Sequence, residues 1–248
     1  MSLIHRCAIA LAVLAALPMA ARAAPAAQAE TYGFDPVHTR VVFAISHAGF
    51  SQAIGTVSGS AGTLSFDRDD WRSAKLEVQV PLTRLDLGDS KWNKAALASN
   101  LLDGKRYPLA RFVSERVEPV AGDADRFQAC GQLTLHGVTA PLCMDVKLNQ
   151  LKRHPLPPFH RTAGFSATAR LSRAAFGIDA WKSVIGDEVE LRIEAEAVRD
   201  KFVGATPKAN PADADSTDTE ATGTEPVDSQ STDTPSTAPA KPRPEPSR

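Results

Sequence analysis

The residues with chemistry to offer in this 248-residue chain are six histidines, three cysteines and scattered carboxylates. His38 and His47 stand in one alternating apolar stretch, an odd number of positions apart. Alternation sends them to opposite faces of a strand, so they do not converge on one ion. His136 precedes Gly137 between two strand-like runs and reads as turn chemistry, where tolerance of positive φ is useful. His154 and His160 fall in a Pro-rich stretch and are expected to be solvated. Asp67, Asp69 and Asp70 form an acidic turn whose spacing fits no calcium loop. The chain holds no G-x-S-x-G, P-loop, dinucleotide glycine fingerprint or H-E-x-x-H. No metal, no cofactor and no catalytic activity are expected.

The cysteines say more. Cys7 sits near the N-terminus, ahead of an apolar run. Cys130 and Cys143 lie in two alternating runs, 127–135 and 142–150, that read as the arms of a hairpin. If the loop is His136-Gly137, Leu135 opposes Val138 and Cys130 opposes Cys143. Counting outward from the turn makes theirs a non-hydrogen-bonded pair, with Cα atoms about 4.5–5.5 Å apart, within disulfide reach. Pro141 then also stands at a non-hydrogen-bonded site, where its missing N–H does no harm. A disulfide pinning the hairpin is the first reading; two unpaired small side chains and a redox-active pair are the alternatives.

The elements that must position these residues are strands. Residues 35–49 read as the first: Thr39, Val41, Phe43, Ile45 and His47 share one face, taken as inward, and His38, Arg40, Val42, Ala44 and Ser46 the other. Residues 54–66 form a β region whose glycines at 55, 59 and 62 mark a bend or bulge. Leu76, Val78 and Val80 alternate with polar residues, as do Phe165, Ala167, Ala169 and Leu171. Val189, Leu191, Ile193, Ala195 and Ala197 give the cleanest alternation. Residues 90–99 favour a short helix, capped by Asp89 or Ser90. The count is about eight strands with one helical insertion, which indicates a sandwich or a closed antiparallel barrel. The inward candidates Val41, Phe43, Ile45, Val78, Phe112, Met144, Val146, Phe165, Leu191 and Ile193 either fill a solid core or line a cavity; periodicity does not separate the two.

Composition bounds the partners. The formal net charge is −1 with mixed signs, which argues against nucleic acid, because phosphate binding needs a clustered basic surface. Residues 1–23 read as a secretory signal: a short basic start, an apolar run too short to span a bilayer, and Ala21-Arg22-Ala23 as a cleavage site. Residues 24–30 are a linker, 31–202 the folded domain, and 203–248 an acidic Pro/Thr/Ser-rich tail expected to be disordered. The mature chain is expected to be periplasmic and without a transmembrane segment, a compartment that favours pairing of Cys130 and Cys143.

Four motifs in order carry a family resemblance: Asp35-Pro-x-His38-Thr-x-Val41-x-Phe43-x-Ile45-x-His47-x-Gly49; Tyr107-Pro-x-Ala110-x-Phe112; Gly131-x-Leu133-Thr-Leu-His136-Gly-Val-Thr139-x-Pro141; and Phe176-Gly-Ile178 followed by Ile185-Gly-Asp-Glu-Val189. The sequence resembles the YceI family of bacterial periplasmic lipid- or polyisoprenoid-binding proteins from about residue 31 to 198. The resemblance implies a lipocalin-like antiparallel β-barrel with a helical insertion, an apolar tunnel holding a long isoprenoid or fatty chain, and no catalysis. It also suggests pairing into a homodimer. One departure stands out: family members carry Arg-Asp-x-His-Leu on the inserted helix, where this chain reads Trp92-Asn93-Lys94-Ala95-Ala96. Trp92 and Asn93 are the candidate substitutes at the tunnel mouth. The expected function is a periplasmic carrier of an isoprenoid, quinone or fatty chain. The competing expectation is a structural or stress-linked envelope protein whose barrel is solid and whose tail recruits a partner.

Overall fold

The computed structural model describes residues 28–199; the signal-like segment and the acidic tail lie outside the described residues. Eleven strands and one α-helix follow one another among the described residues: β1 (Glu30–Phe34), β2 (Arg40–His47), β3 (Ser51–Ser58), β4 (Ala61–Asp67), β5 (Asp70–Pro81), β6 (Leu85–Asp86), α1 (Ser90–Ala96), β7 (Leu109–Pro119), β8 (Arg126–Leu135), β9 (Val138–Arg153), β10 (Arg161–Ser172) and β11 (Ile185–Arg199). All pairings are antiparallel, and β1 pairs with both β4 and β11, so the sheet closes on itself.

Eleven strands make a ring of eight because six of them are halves of three. β11 pairs with β2 through residues 185–194 and with β1 through 197–199. β3 runs between β2 and β6, and β4 between β1 and β5. Thus β1 with β2, β3 with β4, and β5 with β6 are three long strands broken in the middle. The stretch expected as one strand from residue 35 is a turn followed by a strand. Pro36 has no N–H for a ladder, and the Asp35 carboxylate accepts from the Val37 N–H at 2.8 Å and the His38 N–H at 3.3 Å, folding the chain locally. The facing break in the next strand falls at Gly59, with φ of 80°.

At the end reached by β1 and β4 the interior is packed with rings. Phe66 stacks between Tyr32 and Trp71 at 5.0 Å from each, Trp71 stacks on Phe127 at 4.4 Å, and Phe165 meets Phe66 edge-on at 6.1 Å. Beside this cluster the Tyr32 hydroxyl donates to Glu30, which also pairs with Arg161 at 3.0 Å and Arg199 at 2.8 Å. Burial, and then the bond to Glu30, push the Tyr32 hydroxyl up to about 12. The bond from Tyr32 holds the Glu30 carboxyl below its ordinary value, with the two arginines adding to the effect.

The other end is where chain insertions gather. β6 lies against β3, and α1 follows, its first turn capped by the Asp89 carboxylate, which accepts from Lys91 N–H at 2.9 Å and Trp92 N–H at 3.0 Å. The helix stops at Ala96, short of residue 99. The β8–β9 hairpin turns at His136 and Gly137, with φ of 52° and 76°. Cys130 faces Cys143 in that hairpin and the two form a disulfide, with Cα atoms 4.0 Å apart, on the outer side of the wall.

Two outcomes follow. Replacing both Cys130 and Cys143 with Ser is expected to lower unfolding free energy by about 2–3 kcal/mol, the loop-closure value for so short a span; urea titration of the oxidised protein and the double variant measures it, and equal midpoints would contradict it. The lowered Glu30 carboxyl contributes stability that is present above its ordinary value of 4.5 and lost as pH falls through the lower folded value. Glu30→Gln is therefore expected to flatten the acid limb of a stability-against-pH curve while leaving its shape near neutrality.

Candidate functional site

Between the ring cluster and α1 the barrel is hollow. A cavity of about 490 Å³ runs inside the wall, within the roughly 300–1,000 Å³ of small-ligand sites. Alternation on each strand supplies the lining. Val41, Phe43 and Ile45 project from β2, Val78 from β5, Phe112 from β7, Met144 and Val146 from β9, Phe165 from β10, and Leu191 and Ile193 from β11. All ten inward candidates read from periodicity therefore meet around one space.

Why a cavity and not a filled core comes down to residue size. Small side chains (Ala53, Ala110, Ala167 and Ala195) stand at inward positions among the aliphatic ones. Phe43 lies opposite Gly55 across the β2–β3 pair. A Cβ at Gly55 would fall 2.4 Å from the Phe43 ring, so the glycine lets the ring lie back against the wall, as aromatic rings do over strand glycines.

The cavity reaches the surface beside α1, where the lining residues Trp92 and Ala95 are exposed. The Trp92 ring sits 5.4 Å from that of His47, which also lines the cavity. Asn93 is placed differently from Trp92: it is not among the lining residues. Its Oδ1 accepts from Leu87 N–H at 2.7 Å and its Nδ2 donates to Asp86 at 3.2 Å, tying α1 to β6. His38 points away, exposed and bonded to Asp35.

Polar groups on the lining are few: Thr39, Ser46, His47, Ser60, the Trp92 indole and Arg173, with no carboxylate and no lysine. Ser60 is buried at the break between β3 and β4, and its hydroxyl has no partner among the described residues. Arg173 is buried in the β10–β11 connection. Its guanidinium donates to three backbone carbonyls: Gly186 at 2.8 Å, Ile178 at 2.7 Å and Ile185 at 2.9 Å. The cation thus pins a connection at the cavity end. Sequence reasoning missed both residues: a lone Arg beside Phe176-Gly-Ile178 and a Ser inside a Gly-rich strand have no periodic signature. A lining of this make-up suits apolar matter better than polar.

Known proteins share this fold. A YceI-like domain model matches residues 32–197. Protein YceI of Escherichia coli O157:H7 is 31% identical over 164 residues, covering 66% of this chain and 83% of the relative. A UPF0312 protein of Pectobacterium atrosepticum is 32% identical over 190 residues, covering 76% and 96%. Among solved structures, BcnA of Burkholderia cenocepacia superposes with a TM-score of 0.58 at 22% identity, over 66% of this chain and 98% of that one. A polyisoprenoid binding domain from Saccharophagus degradans does so at 0.52 and 15% identity, over 68% and 98%. At these identities the two structures speak for the fold alone, whereas the domain match and the curated relatives carry descent: this chain belongs to the YceI-like family.

Proposed function

We propose that the protein is a periplasmic carrier that holds a long apolar lipid, an isoprenoid, quinone or fatty chain, inside its barrel for transport, storage or sequestration. The observation that carries this reading is the cavity of about 490 Å³ walled by aliphatic and aromatic side chains. Each buried CH₂ contributes about 0.8 kcal/mol, so ten buried carbons supply about 8 kcal/mol before the costs of association. Affinity of this kind needs no special chemistry, which suits a binding protein better than an enzyme. A signal-like N-terminus and a disulfide that an oxidising compartment would preserve support the periplasm. The Saccharophagus degradans neighbour, described as a polyisoprenoid binding domain, adds support for the ligand class.

Native mass spectrometry of the mature protein purified from the periplasm, followed by organic extraction, tests the reading. An added mass that extracts as an isoprenoid or fatty chain is the expected result. A bare protein that also rejects added quinones and polyprenols would favour the barrel as a scaffold instead. Phe43→Asp or Phe165→Asp places a carboxylate in the apolar wall and is expected to abolish uptake. Gly55→Ala drives the Phe43 ring into the cavity and is expected to weaken retention of a bulky prenyl chain several-fold, measured by competitive displacement.

A further inference from the structure

Three exposed aromatic residues stand around the end of the barrel where the cavity reaches the surface. Phe50, 93% exposed, closes the β2–β3 hairpin; Trp181, 61% exposed, lies in the β10–β11 connection; Trp92, 46% exposed, belongs to α1. Short links tie all three to one place. Phe50 N–H donates to the His47 carbonyl at 3.1 Å, and the His47 ring lies against Trp92. Ala48 N–H donates to the carbonyl of Val184, whose own N–H donates to the Trp181 carbonyl at 2.9 Å. His47 lines the cavity, so the aromatic rim is continuous with the mouth.

The rim has a particular composition. Phe and Trp are costly to leave in water, and Trp, apolar in body with one N–H donor, settles at the boundary between lipid and water. Lys91 and Lys94 flank Trp92 on α1, and neither joins an ion pair among the described residues. Lys182 follows Trp181, and its bridge to Asp179 at 3.0 Å is exposed at both ends. Aromatic tips with lysines beside them suit an anionic headgroup layer, where the rings enter and the ammonium groups meet phosphates. The opposite end also exposes Leu156 and Phe159, but on a loop that joins β9 to β10 beyond the ring cluster, away from the cavity mouth.

We infer that the rim of Phe50, Trp92 and Trp181 docks the barrel, mouth first, onto the headgroup layer of an anionic phospholipid bilayer, so that a lipid chain passes between membrane and cavity without crossing water. The passage of lipid rests on the carrier reading above; the docking does not.

Sedimentation with vesicles of phosphatidylethanolamine doped with phosphatidylglycerol tests the docking, and uptake of parinaric acid from solution reports the cavity separately. The wild-type protein is expected to pellet with vesicles and to shift its Trp emission to the blue. The Phe50→Ser/Trp181→Ser double variant alters no lining residue. It is expected to take up parinaric acid as the wild type does while losing vesicle binding about tenfold. Phe159→Ser is expected to bind vesicles at the wild-type level. Wild-type protein left in the supernatant would overturn the docking, as would a double variant that binds undiminished or a Phe159→Ser loss of equal size. A wild-type dimer that the double variant converts to monomer, with vesicle binding unchanged, would make the rim a contact between copies and would also overturn it. Vesicle binding without parinaric acid uptake would leave the docking in place and remove the carrier reading.

Discussion

Closure of the sheet through β11 is the constraint on which the rest of the molecule depends. This strand spans fifteen residues and gives its hydrogen bonds to β10 on one side and to β2 and then β1 on the other. A sheet closed this way has no free edge over most of its length, which removes the liability of unpaired strand groups. Closure also forces every inward strand side chain toward one axis, so strand alternation decides what the wall presents, and α1 and the β10–β11 connection add Trp92 and Arg173 at one end. The register matters for the same reason: a slip by one residue would turn Leu191 and Ile193 outward and Glu190 and Arg192 inward. The disulfide across β8 and β9 fixes register in the stretch of wall next to β10, where no other covalent tie exists among the described residues.

The two ends of the barrel solve different problems. Large rings interlock around Phe66, Trp71 and Phe127, and that end is close-packed. Such packing supplies stability that does not depend on any ligand. Toward α1 the inward residues become aliphatic or small, and the space between them stays open. The broken strands contribute to this division. The turn at Asp35–His38 and the facing kink at Gly59 place Thr39 and Ser60 on the lining near the middle of the wall. An unpartnered hydroxyl such as that of Ser60 is disfavoured in a filled apolar core, where its desolvation goes uncompensated; facing a cavity, it can meet a polar group of an occupant.

How much of this was legible in the sequence depended on whether the signal was periodic. Alternation found the inward face of β2, β9, β10 and β11 residue by residue, because a half-buried strand writes its orientation at every second position. The Cys130–Cys143 pairing followed from counting outward from His136-Gly137, since a two-residue hairpin loop leaves only one register. What alternation could not give was the interruption at Asp35-Pro36, where an apolar pattern continues past a residue that cannot join a ladder. Nor could it separate a core from a cavity, because both present the same apolar face; the difference lies in the summed sizes of residues far apart in the chain, such as Gly55, Ala110 and Ala195. Arg173 escaped for a different reason. A buried cation is stabilised by three carbonyls that converge only in the folded connection.

The mouth sets an indole and a helix-anchoring amide side by side on α1. Trp92 and Asn93 are neighbours on the inserted helix and divide the work there. Asn93 is structural, holding α1 to β6 with both ends of its amide. Trp92 faces the cavity and rests on His47. No carboxylate and no lysine line the entrance, and the one arginine on the lining, Arg173, has three of its N–H groups committed to carbonyls. An occupant therefore meets rings and aliphatic chains at the mouth as well as in depth. If the barrel carries a lipid as proposed, discrimination among occupants rests on length and girth, through Phe43, Gly55 and the packed rings at the floor, more than on the charge of a head. A multiply charged headgroup would have to remain outside, in water or among the lysines of α1, whereas a flat uncharged one can lie against Trp92 and His47.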